Sequence, residues 1–286
     1  HVPCLQCHAC RHRAFAQCAQ YQRTGITAGF APAGGGYAEY VRVMPFVLPG
    51  VVRIPARNSF IEGALLEPVN TVLKAIRRLA LLRGDSVLVA GQGPIGLIFT
   101  RLLALAGMRV IATDLLPARL KLAREFGAAA VHCPAGPAPS PARRSAPRAP
   151  RPAAPNLATL IPRFTRGRGL DAAVITVPAD DVVGEAQALV RGGGQVLLFA
   201  HTRRGTATPL DLATVCVDEK DLIGSYSADF QLQAETARLV FSRQLDVRRL
   251  VTHQFPLAQT ARAVELATHP TPDSLKVVVT PGAPEG

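Results

Sequence analysis

The sequence predicts an α/β fold built on a doubly wound, parallel sheet. From residue 86 onward, short apolar runs alternate with helical segments that end at glycines. A glycine-rich turn follows the first of these runs, as expected where a parallel strand leads directly into a helix. A cysteine-rich segment over residues 1–26 precedes the alternation, and the length of 286 residues allows one large domain or two ordinary ones.

The region before the alternation is predicted to contain extended segments and one helical region. Alternating side chains predict a strand over residues 37–43, and residues 51–55 form a second short extended piece. Ser59 is a predicted N-cap, and Glu62 three residues later completes a capping box. The apolar spacing that follows indicates a helix, which Pro68 is expected to kink or split.

Strands and helices then alternate along the chain. The predicted strands cover residues 86–90, 108–113, 128–132, 172–177 and 195–200, with helices over 95–106 and 118–126. The chain ends with an apolar segment at 250–257, a helix over 258–267 and a last strand over 275–279. Short apolar runs of this kind are typical of parallel strands that are buried on both faces.

A proline- and alanine-rich insertion over residues 134–156 interrupts the alternation. It holds 8 of the 24 prolines, several arginines and few apolar side chains larger than alanine. Such a stretch has little surface to bury, so it is predicted to be a disordered or extended surface insertion. A docking segment and an artefact of sequence quality are the alternatives.

Composition restricts the classes of partner. The hydrophobic content of 48% is enough for a core, and no apolar run reaches the length of a membrane span. The net charge is +12, but tryptophan is absent and aromatic residues make up 5%, so we expect no nucleic-acid partner. The chain shows no secretory signal, and its cysteine spacing favours metal binding in a reducing compartment, which predicts a cytoplasmic location.

The turn from Gly91 to Gly96 has the spacing of a dinucleotide-binding motif. Gly91 permits the tight turn, Gly93 allows a pyrophosphate to approach the backbone, and Gly96 lets the helix pack on the strand. Pro94 lies in the first helical turn, where its missing N–H costs nothing, and Ile95 is a further predicted cofactor contact. The alternative is a glycine turn that serves only strand–helix packing.

Asp114 ends the next predicted strand and is the candidate ribose-binding residue. Its carboxylate can accept hydrogen bonds from both ribose hydroxyls of NAD and would repel the 2′-phosphate of NADP. The sequence therefore favours NAD over NADP. Arg119 is included among the predicted cofactor-binding residues.

The first 18 residues contain four closely spaced cysteines, at positions 4, 7, 10 and 18. Four thiolates saturate a tetrahedral zinc ion, so Cys4, Cys7, Cys10 and Cys18 are predicted to hold a structural zinc with no open position. An iron–sulfur cluster is the alternative, but its usual motif has a shorter last gap and a following proline.

These motifs together resemble the zinc-containing medium-chain dehydrogenase/reductase family, in its sorbitol/threonine dehydrogenase branch. The resemblance covers nearly the whole chain except the insertion. It rests on the cysteine lobe, the Gly-Gly-Tyr-Ala-Glu-Tyr and Leu-Glu-Pro segments, the glycine turn with Asp114, and the Gly-Gly-Gly-Gln-Val segment. The cysteine lobe is the most specific of these features.

The resemblance implies a Rossmann domain over residues 69–246 and a partial, mainly β GroES-like catalytic domain over 1–68 and 247–286. It implies a second, catalytic zinc in a cleft between the domains, held by a cysteine, a Gly-His-Glu segment and often an acidic residue. Glu67 would lie at that zinc, as a ligand or as the partner of its water; a solvated helix carboxylate is the alternative. Family members form dimers or tetramers.

The sequence departs from this family at the catalytic zinc. In the family the cysteine and the Gly-His-Glu segment precede the lobe, whereas this chain begins with the lobe at His1. We expect an intact enzyme to transfer hydride between a secondary alcohol or polyol and NAD, and the 286-residue chain itself to be inactive. The alternative is a non-catalytic NAD-binding protein. A zinc-free quinone reductase shares the fold but has no use for the cysteine lobe.

Overall fold

The computed structural model describes residues 2–26, 30–134, 156–200 and 204–282. These residues form two compact units: unit 1 comprises His1–Lys74 and Tyr226–Gly286, and unit 2 comprises Ala75–Ser225. The predicted insertion over 134–156 lies almost entirely outside the described residues, so its disorder stays a prediction.

The first half of unit 1 consists of short helical elements. They are α1 (His8–Arg11), α2 (Ala19–Tyr21), α3 (Phe60–Ala64) and α4 (Leu66–Ile76), with 3-10 turns at Phe15–Gln17 and Pro45–Gly50 and a π-helical turn at Gln22–Ile26. The capping box is confirmed, because the Ser59 hydroxyl accepts from the Glu62 amide and the Glu62 carboxylate accepts from the Ser59 amide.

Unit 2 is built on a six-stranded sheet. Its elements are β1 (Ser86–Ala90), α5 (Pro94–Leu105), β2 (Arg109–Thr113), α6 (Pro117–Glu125), β3 (Ala130–His132), α7 (Leu157–Thr165), β4 (Leu170–Ile175), α8 (Asp180–Leu189), β5 (Val190–Leu198), α9 (Leu212–Val217) and β6 (Asp221–Gly224). The strand order is β3-β2-β1-β4-β5-β6, and every pair is parallel. The predicted doubly wound parallel sheet is confirmed, in the strand order of a Rossmann fold.

The core of unit 2 lies on both faces of this sheet. All five residues of β1 are buried, which accounts for its apolar run from Val87 to Ala90. On one face Leu88 and Ile175 pack with Leu157 and Ile161 of α7 in a single apolar cluster. Because α5 starts where β1 ends, this buried frame fixes the position of the glycine turn between them.

The second half of unit 1 contains a 3-10 turn (Phe230–Leu232), α10 (Gln233–Phe241), a 3-10 turn (Val247–Leu250), β7 (Val251–Pro256), a 3-10 turn (Leu257–Gln259), α11 (Thr260–Thr268) and β8 (Lys276–Thr280). Strands β7 and β8 pair in parallel. In the described part of unit 1, β7 and β8 are the only strands, whereas a mainly β domain was predicted.

Two local predictions for unit 1 were wrong. Residues 37–43 form no strand, and Tyr40 is 91% exposed, because no strand in the described part of the chain offers them the backbone hydrogen bonds that a strand needs. The helical region is split, as predicted, but the break falls at Leu65, between α3 and α4. Pro68 lies in the first turn of α4, where the missing N–H is harmless.

The division into units also differs from the predicted domain boundaries. Residues 226–246, which were predicted to belong to the Rossmann domain, group with unit 1. Phe230 stacks edge-on against Phe15 at 5.2 Å, and the Phe241 carbonyl accepts from the Asn58 side chain at 3.3 Å. These contacts to the first residues of the chain explain why the segment after Ser225 leaves unit 2.

No described helix combines the length and the apolar character that a membrane crossing requires.

Candidate cofactor and metal sites

The four predicted cysteine ligands converge in unit 1. The Sγ atoms of Cys4, Cys7, Cys10 and Cys18 all lie within 4.8 Å of one another, with 4.0 Å between Cys4 and Cys10 and 3.5 Å between Cys7 and Cys10. All four are free thiols. Among the described residues this is the only group of three or more potential metal ligands that lie close together.

These separations fit a tetrahedral zinc ion. With Zn–S bonds of about 2.3 Å, the edges of a regular tetrahedron of sulfurs measure about 3.8 Å. The two separations given above lie on either side of that value. The arrangement therefore fits one zinc with four protein ligands, and such a closed site leaves no position for a substrate.

The pKa values of two thiols in the cluster are shifted in opposite directions. Burial raises the pKa of Cys10 to about 12, and neighbouring thiols add to the effect. Burial also acts on Cys18, but the backbone N–H groups of Cys4 and Tyr21 outweigh it and lower the pKa of that thiol to about 6. The Cys4 amide lies 3.3 Å from the Cys18 sulfur. Backbone donors thus already favour a thiolate in the set, and a divalent cation would stabilise the others.

A small apolar core holds the lobe in shape. Phe15, Ala16 and Tyr21 are buried with Cys10 and Cys18, and Phe230 packs against them. The Tyr21 hydroxyl lies 2.9 Å from that of Ser227, so the lobe is fastened to a segment more than 200 positions later in the chain.

The glycine turn of unit 2 has the close contacts that its motif predicts. Gly91 has a φ of +91°, and any side chain there would collide with Val177 and Thr176. A Cβ at Gly96 would overlap the carbonyl oxygen of Gly91. Both positions therefore require glycine, the first for its backbone conformation and the second for the close approach of helix and turn.

The start of α5 is open, in contrast to Gly91 and Gly96. Gly93 is the N-cap of α5, and a Cβ built on it meets nothing within 4 Å. Pro94 occupies the first helical position, followed by Ile95. The free N–H groups of this helix start form a site suited to an anion such as a pyrophosphate.

Asp114 is placed beside this turn, at the carboxyl end of β2. Its Oδ2 accepts from the Gln92 amide at 2.7 Å and its Oδ1 from the Leu116 amide at 2.8 Å. The Arg119 guanidinium lies 3.8 Å from Oδ2. The structure therefore brings Asp114, Arg119 and the glycine turn together at one edge of the sheet.

Three polar residues around the turn were not found from the sequence. Gln92 is fully buried; its amide group donates to Val89 O at 3.0 Å, and its Oε1 accepts from the Thr100 hydroxyl at 2.9 Å. The Thr176 hydroxyl, just beyond β4, lies 2.7 Å from Ala90 O and 3.0 Å from Gly91 O. No sequence motif marks a threonine at the end of a strand, so the contacts of Thr176 become visible only once β4 is paired with β1.

Glu67 lies in the first turn of α4 and is exposed. Desolvation by the surrounding protein raises the pKa of its carboxyl, and the charge of Lys276 opposes the shift. No described cysteine, histidine or further carboxylate joins Glu67 in a metal-ligand cluster. The described residues therefore do not by themselves fit a catalytic zinc.

Comparison with known proteins shows the family to which the chain belongs. A family model described as zinc-binding dehydrogenase matches residues 94–242, more than half of the chain. The chain belongs to the zinc-binding dehydrogenase family. The matched region of this family member starts at α5 and includes Asp114, Arg119 and Thr176.

Two relatives of this chain carry the name of a sugar or a polyol. The chain is 28% identical over 257 residues to "Probable D-xylulose reductase A" of Aspergillus terreus, covering 88% of the chain and 65% of the relative. It is 27% identical over 283 residues to the sorbitol dehydrogenase of Bacillus subtilis, covering 98% of the chain and 72% of the relative. The chain thus spans about two thirds of the length of these relatives.

A solved structure supports the fold over nearly the whole chain. A protein of Sinorhizobium meliloti, described as a zinc-binding dehydrogenase bound to NADP, is similar with a TM-score of 0.78. The two share 24% sequence identity, and the match covers 98% of this chain and 74% of that one.

Proposed function

We propose that this chain is the nucleotide-binding and zinc-lobe part of a dehydrogenase that transfers hydride between a secondary alcohol or polyol and NAD. One observation carries the proposal: the Gly91–Gly96 turn, the start of α5 and the Asp114 carboxylate meet at one edge of a parallel sheet. This is the arrangement that binds a dinucleotide in Rossmann folds. The names of the two relatives support an alcohol-type substrate.

NAD is the proposed cofactor because of the charge on Asp114. A carboxylate beside the ribose accepts hydrogen bonds from its hydroxyls and repels a 2′-phosphate. The Sinorhizobium meliloti structure holds NADP, so the comparison supports the nicotinamide class, and the preference for NAD rests on Asp114 alone.

The chain's own residues have distinct proposed roles in cofactor binding. The free N–H groups at the start of α5 bind the pyrophosphate, and the absence of a side chain at Gly93 leaves room for it. Asp114 orients the ribose, with Arg119 beside it. The nicotinamide ring then supplies the hydride chemistry, which belongs to the cofactor.

Zinc is proposed in a structural role, held by Cys4, Cys7, Cys10 and Cys18. We also propose that Glu67 lies at a catalytic zinc in the intact enzyme. A metal at the reacting hydroxyl would act as a Lewis acid. Since the described residues offer only Glu67 there, no step of the reaction is assigned to that metal in this chain.

The first test is calorimetric titration of the purified chain with NAD and with ADP-ribose. We expect both to bind, because both carry the adenosine ribose and pyrophosphate that the site recognises. Failure of both to bind would contradict the proposal. Light scattering of the same sample tests whether the protein forms the expected dimer or tetramer.

The second test separates the dehydrogenase from a non-catalytic NAD-binding protein. NADH formation from sorbitol or xylitol would be followed with zinc, in this chain and in a version extended by its natural upstream coding sequence. We expect binding without turnover in the chain itself and turnover in an extended protein that adds a cysteine and a Gly-His-Glu segment. An upstream sequence lacking these residues would favour the non-catalytic alternative.

A further inference from the structure

A single peptide group in the nucleotide turn is held at both ends by side chains from different strands. The carbonyl of the Gly91–Gln92 peptide lies 3.0 Å from the Thr176 hydroxyl, and its N–H donates to Asp114 at 2.7 Å. Asp114 follows β2 and Thr176 follows β4, the two strands that pair with β1 on its opposite sides. The peptide therefore spans the point between these strands where the cofactor is proposed to bind.

Without these two contacts, the Gly91–Gln92 peptide could adopt the observed orientation or the reversed one. Gly91 has no Cβ and a φ of +91°, so its local sterics do not restrict it as they would another residue. A reversed peptide would point its carbonyl oxygen at the Asp114 carboxylate, an acceptor facing an acceptor. It would also leave the Thr176 hydroxyl without the Gly91 carbonyl.

The side chain of Gln92 is held by two hydrogen bonds in the protein interior. The buried side chain of Gln92 donates to Val89 O at 3.0 Å and accepts from the Thr100 hydroxyl at 2.9 Å. The Gln92 side chain is therefore held independently of Thr176, whose hydroxyl contacts only the carbonyl end of the peptide. The Thr176 hydroxyl also lies 2.7 Å from Ala90 O, so its one proton is shared between two carbonyls. Ala90 O accepts from the Thr176 amide at 3.0 Å as well and would keep that donor, so loss of the hydroxyl would affect the Gly91 carbonyl most.

We propose that Thr176 is a positioning residue for the nicotinamide nucleotide. Its hydroxyl keeps the Gly91 carbonyl turned toward α5 and β4, and so keeps an electronegative oxygen away from the anionic pyrophosphate. The orientation also keeps the Gln92 N–H on Asp114, which fixes the carboxylate for the ribose. The inference rests on the proposed function, and it adds a residue that belongs neither to the glycine motif nor to the cofactor contacts.

The test compares two substitutions at Thr176. Thr176→Val removes the hydroxyl at nearly constant volume, and Thr176→Ser retains it. Loss of one hydrogen bond that orients the site should weaken NAD binding about tenfold in Thr176→Val, while Thr176→Ser should stay within about twofold of the unaltered chain.

Thr165→Val is the matched control. Thr165 is another threonine of unit 2, fully buried where Thr176 is partly buried, and its hydroxyl donates to Ile161 O at 2.8 Å and accepts from the Gly169 amide. This variant should lower the melting temperature but leave the NAD dissociation constant within about twofold. Equal NAD affinities in the unaltered chain and Thr176→Val, or equal losses in the valine and serine variants, would overturn the proposal.

A second measurement does not depend on the cofactor. Amide hydrogen exchange at Gln92, followed by NMR, should be about tenfold faster in Thr176→Val than in the unaltered chain or in Thr176→Ser. Unchanged exchange in Thr176→Val would overturn the role of Thr176. Failure of the unaltered chain to bind any nicotinamide nucleotide would instead overturn the proposed function, so the two failures are distinguishable.

Discussion

Glu62 and Arg243 form an ion pair with 3.0 Å between Oε1 and Nε, although they are 181 positions apart in the sequence. The Glu62 side chain is 1% exposed and also accepts from the Ser59 amide and the Asn58 side chain. A single carboxylate thus caps α3 and joins the first half of unit 1 to the end of α10.

This ion pair should make unit 1 sensitive to acid. Burial opposes ionisation, but Arg243, the Ser59 amide and Asn58 outweigh it and lower the pKa of Glu62 from 4.5 to about 2. The stabilisation is therefore fully present above pH 4.5 and is lost as the pH falls toward 2. Because Arg243 is partly solvated, we expect about 2 kcal/mol. Denaturant unfolding from pH 6 to pH 2 should show this loss, and Glu62→Gln should largely abolish it.

Glu265→Gln is the control for that measurement, since Glu265 is exposed on α11. It should unfold with the pH dependence of the unaltered chain. An unchanged pH dependence in Glu62→Gln would contradict the assigned role of the ion pair.

The cysteine lobe should bind about one zinc per chain. Cys10→Ser should lose the metal and loosen the lobe, because Cys10 is both a ligand and part of the small core. Cys216→Ser, at an exposed free cysteine, should retain the zinc. Elemental analysis of chelator-washed protein measures this. Two tightly held zinc ions, or iron with visible absorbance, would show that the cluster is misassigned.

Glycine substitutions should separate packing from cofactor binding. Gly96→Ala places a Cβ on the Gly91 carbonyl and should lower the stability by about 2 kcal/mol or more. Gly93→Ala meets open space in the absence of ligand, so its melting temperature should hardly change while NAD binds more weakly. Thermal unfolding and calorimetry on both variants provide the comparison. Undiminished NAD binding by Gly93→Ala would argue that the turn serves only packing.

Asp114 should control the choice between NAD and NADP. Asp114→Ser removes the charge that repels a 2′-phosphate and should narrow the preference for NAD about tenfold. Asp114→Asn is the sharper variant, since its amide oxygen can still accept from the Gln92 amide and preserve the turn. Titration of each protein with both nucleotides is the measurement. Equal affinities in the unaltered chain would remove the basis for proposing NAD.

Local sequence patterns predicted unit 2 better than unit 1. The bounds of β1 are as predicted, and those of α5 and α6 differ from the prediction by one residue, because apolar runs and the glycines that close each element are local signals. The strand predicted over 37–43 does not form, because alternating side chains alone do not make a strand. The backbone also needs a partner strand for its hydrogen bonds. Strand β6 was missed because four residues are too few to display a period.

The candidate sites likewise contain some residues that local sequence patterns predict and others that they do not. The four cysteines lie close together in sequence, as do the residues of the glycine turn, and each set also lies close together in the structure. Thr176 and Arg243 act on residues 85 and 181 positions away, and no local pattern connects such partners. Their roles depend on strand order and helix packing, which only the folded chain supplies.

The contact between Phe15 and Phe230 has a consequence for synthesis of the protein. The lobe that holds the first four cysteines completes its apolar core with a side chain made more than 200 residues later. At about 5–20 residues per second, the ribosome needs on the order of 10–40 s to add that stretch. During this interval the thiols of a nascent chain have only part of their core, so we expect the proposed zinc to be captured by the finished lobe only after Phe230 has been made.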